Sequence, residues 1–64
     1  MNTVKGTAAI RQGQKDISAA AEKYRLGMVS AAFAREEINR IAAFYNLRGV
    51  DATAKRHLKA IKPI

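Results

Sequence analysis

Apolar residues recur along this chain at intervals of three and four and never alternate with polar ones over a stretch, so the pattern predicts helices and no strand. Three segments carry it. In the first, Ile10, Ile17 and Tyr24 are spaced by seven, with Gly13, Ala20 and Gly27 on the adjoining seam and Ala21 and Met28 beside them. This predicts a helix over about residues 7–26, with Thr7 as N-cap and Gly27 as its stop. In the second, Ala34, Ile38, Ile41, Ala42 and Tyr45 share one face, predicting a helix over about residues 30–47 that starts at the N-cap Ser30. Met28 and Val29 just before it pin the entering chain. The third has Val50, Ala54, Leu58 and Ile61 on its inner face, which predicts a helix over about residues 51–62 with Asp51 as N-cap and Pro63 barring continuation. The fold class expected is all-α, a small three-helix domain.

Two details of the pattern bear on contacts. Large residues alternating with small ones along the first helix let another helix approach closely, which gives Gly13 a packing role despite a cost of ~1 kcal/mol relative to Ala. A kink or a frayed start explains Gly13 equally well. On the second helix, Phe33 and Phe44 widen the apolar stripe, so contact is expected on two sides: with the first and third helices, or with the first helix and another subunit. A chain of this length buries only ~60% of its unfolded surface, so a second copy would add stability. Ile10, Gly13, Ile17, Ala20 and Tyr24 are the expected self-association surface, and a homodimer the expected assembly.

Charge narrows the partners. Twelve Lys and Arg against five Asp and Glu give the 64 residues a net charge of +7, which favours nucleic acid, anionic membrane or an acidic protein surface. The charge is uneven, for residues 30–47 are neutral while both flanks are positive. Near the C-terminal end, Lys55, Lys59 and Lys62 stand at i, i+4 and i+7 with Arg56 adjacent, and Arg48 precedes them. Cations late in a helix also complement its dipole, and a solvated face is the plain structural alternative. Membrane binding fits poorly, because the basic third helix has a narrow apolar face without Trp or Phe and no run reaches the ~20 residues of a span.

Other chemistry is sparse. The absence of Cys favours a reducing, cytoplasmic location, and the Met1–Gly6 segment lacks the apolar core of a signal peptide, so a complete small intracellular product is expected. With one His, His57, and no Cys, no metal site is expected, nor any cofactor. The adjacent carboxylates Glu36 and Glu37 project about 100° apart on one helix and cannot face each other as acid and base. Gly6, Gly13, Gly27 and Gly49 match no nucleotide-binding fingerprint, so no enzyme is expected.

The run Ile41-Ala42, then Tyr45-Asn46-Leu47, then Gly49-Val50-Asp51-Ala52-Thr53-Ala54-Lys55-Arg56-His57-Leu58 resembles the helix-turn-helix of bacterial and phage DNA-binding proteins. The likeness covers about 20 residues, within 41–62. It implies a Gly-Val turn and a recognition helix entering the major groove with Ala52, Thr53 and Arg56 nearest the bases. A Thr methyl can meet thymine and an Arg can fork onto guanine, so Thr53 and Arg56 are the implied readers. Arg48, Lys55, Lys59 and Lys62 would hold phosphates. The expected function is a small DNA-binding regulator acting on duplex DNA. The alternative is a non-enzymatic interaction module, a phage-like inhibitor or adaptor, docking on an acidic or nucleic-acid-binding partner surface.

Overall fold

A computed structural model describes the backbone of residues 2–61 and side-chain environments from residue 6 onward. Among these residues the chain is all-α, with α1 (Asn2–Arg25), α2 (Ala31–Tyr45) and α3 (Arg48–Ala60) and no strand. α1 starts at Asn2, five residues before the expected cap, so Thr7 lies inside the helix. One Gly at position 6 costs only about 1 kcal/mol, and no Pro interrupts the turns before Thr7, so helix propagates through it. Its other end is where the sequence placed it. Gly27 adopts φ 77°, and the N–H groups of Gly27 and Met28 bond the carbonyls of Tyr24 and Lys23 at 3.0 and 2.9 Å, closing a Schellman turn.

α2 opens on Ser30, whose extended backbone lets Oγ accept from the Phe33 N–H at 3.1 Å. It closes at Tyr45, two residues short of Leu47, because Asn46 turns into the left-handed region at φ 52°, a conformation Asn tolerates. Leu47 is then extended, and α3 begins at once with Arg48. Asp51 is therefore not the N-cap. It occupies the first turn of α3, where its carboxylate meets the positive end of the dipole, while Leu47 caps without a side-chain bond. Gly49-Val50 likewise lies within α3 and not in a turn. Gly49 serves close approach: a Cβ there would sit 3.0 Å from Cγ2 of Ile10.

The three helices run up, down and up. Tyr45, ending α2, sits against Gly13 and bonds Asp16 midway along α1, while Arg35 near the start of α2 reaches the end of α3. α3 starts beside Ile10 and ends beside Ser18, Ala21 and Tyr24, so it lies parallel to α1. The result is an elongated body of 43 × 16 × 15 Å. Ile17, Ala20, Ala34, Ile38, Val50, Ala54 and Ile61 form its core, edged by Ile10, Ile41, Tyr45 and Leu58 among others. Ile17, Ile38 and Val50 are wholly enclosed, each contributing about 1.5–3 kcal/mol by burial. Gly13 belongs to this packing, since a Cβ on it would lie 2.6 Å from Cγ2 of Val50. α1 continues unbroken through it. No helix of the described residues is long and apolar enough to cross a membrane.

Candidate nucleic-acid interface

α3 turns its apolar side inward through Val50, Thr53, Ala54 and Ile61, which leaves Arg48, Ala52, Lys55, Arg56 and Lys59 on the exposed side. At 100° per residue Arg48, Lys55 and Lys59 fall within about 40° of each other, and Arg48 and Lys59 stand about 16 Å apart along the axis. Arg56 flanks this row. Asp51 on the opposite flank is the one carboxylate of α3.

The other Arg side chains divide by role. Arg25 pairs with Glu22, and that bond raises the Arg25 pKa above its ordinary value. Arg40 lies 3.6 Å from Glu37, and Arg35 is turned inward onto the carbonyls of Leu58 and Ile61. Among the described residues, by contrast, Arg48, Lys55, Arg56 and Lys59 enter no ion pair. A row of unneutralised cations on the outer side of a helix suits the regularly spaced charges of a phosphate backbone.

Some of the residues expected from sequence stand together on α3 and others do not. Arg48, Lys55, Arg56 and Lys59 stand together and exposed. Lys62 lies outside the described residues. Thr53 is not available as a reader: it is buried, and its Oγ1 donates to the Gly49 carbonyl at 3.1 Å. The reason is angular, since Thr53 falls beside Val50 and Ala54 on the inner half of the helix. The expected self-association seam is also corrected. Gly13, Ile17 and Ala20 are buried inside the monomer, with Ile10 and Tyr24 packed against the same core, so α2 and α3 already cover this face.

Arg11 and Lys15, one turn apart and both exposed on α1, were absent from the expected site. Gln14, between them in sequence, donates its Nε2 to the Gly49 carbonyl at 3.4 Å, so this turn of α1 lies beside the start of α3. Their i, i+4 spacing was the available signal. Only the parallel placement of α1 and α3 relates it to Arg48. Across known proteins, no family model, curated protein or solved structure matches the chain.

Proposed function

We propose that this chain is a small DNA-binding protein that lays the outer face of α3 along duplex DNA, with Arg48, Lys55, Arg56 and Lys59 against phosphates. The observation that carries the reading is the exposure of these four cations on one side of α3 with no ion pair to a carboxylate among the described residues. α3 is about 20 Å long, and an α-helix matches the width of the B-DNA major groove. With Thr53 inside the core, no base reader is assigned: Arg56 joins the phosphate contacts, and binding is dominated by the backbone.

Titration of a fluorescent duplex at rising salt tests this. Four neutralised phosphates give a slope of log affinity against log salt near −3.6, and about a 150-fold loss between 50 and 200 mM. Absence of binding at 50 mM salt would overturn the reading and assign the face to an acidic protein partner.

A further inference from the structure

The outer edge of α2 is apolar at both ends and charged between them. Phe33 is 52% exposed and Phe44 80%, and between them the side chains of Glu37 and Arg40 are also open to solvent. At 100° per residue, positions 33, 37, 40 and 44 fall within about 60°, forming one stripe along about 16 Å of helix. The order Phe, Glu, Arg, Phe is symmetric about the point between Ile38 and Asn39 in size and spacing, and antisymmetric in charge. A two-fold axis through that point exchanges residue 33 with 44 and residue 37 with 40.

We propose that this stripe binds a second copy of the chain, with the two α2 helices antiparallel, Phe33 against Phe44 of the other copy and Glu37 against its Arg40. Such an interface is isologous, so each complementary contact occurs twice. The aromatic pairs bury the side chains that the monomer leaves open, and the charge pairs fix register and direction.

Charge argues for a second copy over a polyanion on this face. The stripe holds one Glu and one Arg, and residues 30–47 are neutral overall, so a phosphate backbone gains nothing from it. Two chains of net charge +7 repel least when they meet through their neutral helices. The adjacent groove is lined by Asp16, Ala19, Ala20, Lys23, Glu37 and Ile41, all of α1 and α2. Pairing there leaves the basic faces of both α3 helices open.

Sedimentation of the full chain from about 10 to 500 μM tests the pairing. The unmodified chain should move from single chain to dimer over that range, and Phe44→Asp should remain single. Glu37→Arg and Arg40→Glu each set like charges opposite one another twice and should weaken association by at least about tenfold. The double variant E37R/R40E restores opposite charges across the axis and should recover the dimer. Phe44 and Arg40 are exposed and Glu37 is half-exposed at the rim of a groove, so circular dichroism should report unchanged helicity. A single-chain species for the unmodified protein at 500 μM, or a double variant no tighter than the single ones, would overturn the proposal.

Discussion

Arg35 holds the end of α3 through Ile61: its Nη1 donates to the Ile61 carbonyl at 2.7 Å and to the Leu58 carbonyl at 2.9 Å. The last carbonyls of a helix have no partner within it, and here a guanidinium from the second turn of α2 supplies one. The link also fixes α2 and α3 side by side and antiparallel. In this chain the connection is Asn46-Leu47.

Arg35→Ala is therefore expected to cost about 1.5–3 kcal/mol, the range for hydrogen bonds from a charged donor. Against the ~3–5 kcal/mol that a core this size supplies, the loss should be plain in urea denaturation. Arg35→Lys keeps the charge and should recover part of it. Unchanged midpoints for both variants would remove this cap from the account.

Gly13→Ala should destabilise although Ala is the better helix former. Propensity alone favours the change by ~1 kcal/mol, but the new methyl would meet Val50 Cγ2 at 2.6 Å and Tyr45 Cγ at 3.2 Å. Val50 is fully enclosed and β-branched, so it cannot swing aside, and overpacking of this kind costs about 1–3 kcal/mol. Val50→Ala makes room, and the double variant should lose less than the sum of the single ones. Gly6→Ala, with no atom within 4 Å of the added Cβ, should be neutral or stabilising.

The periodic pattern located all three helices and the core faces of α2 and α3, with Ala34, Ile38, Val50, Ala54 and Ile61, whereas Ile17 and Ala20 of α1 read as a surface for a second copy until α2 and α3 are seen against them. Helix ends were legible where a local rule decides them, as at Ser30 and Gly27. They were not legible where tertiary contact decides. Gly49 reads as a turn residue until Ile10 is seen against it, and Asp51 reads as a cap until Asn46 reverses the chain five residues earlier. The candidate site followed the same division. Lys55 and Lys59 were readable from spacing, whereas the burial of Thr53 depended on where α3 starts and which way it faces.

The hydrogen bond from Tyr45 Oη to Asp16 Oδ2, at 2.9 Å, ties the end of α2 to the middle of α1. That bond, then desolvation and the carboxylate charge, raises the phenol's pKa above its ordinary 10.0. The folded state thus holds this proton more tightly than the unfolded one. The stabilisation is fully present below pH 10 and is lost as pH rises through the folded value. Thermal melts of the unmodified chain should fall more steeply above pH 10 than those of Tyr45→Phe, which lacks the titrating group. Parallel pH profiles would show that the bond adds nothing to stability.

The central claim is that the outer face of α3 neutralises phosphates while Thr53 reads nothing. Duplex affinity measured from 50 to 200 mM salt for the unmodified chain, for Lys55→Ala with Lys59→Ala, and for Thr53→Ser tests it most directly. Each phosphate contact contributes about 0.9 to the slope, so removing two lysines should flatten it from near −3.6 to near −1.8 and weaken binding for every sequence. Thr53→Ser retains the hydroxyl that bonds Gly49 and removes only a buried methyl, so affinity should not change. An unaltered slope in the double-lysine variant, or a sequence-dependent loss in Thr53→Ser, would contradict the account.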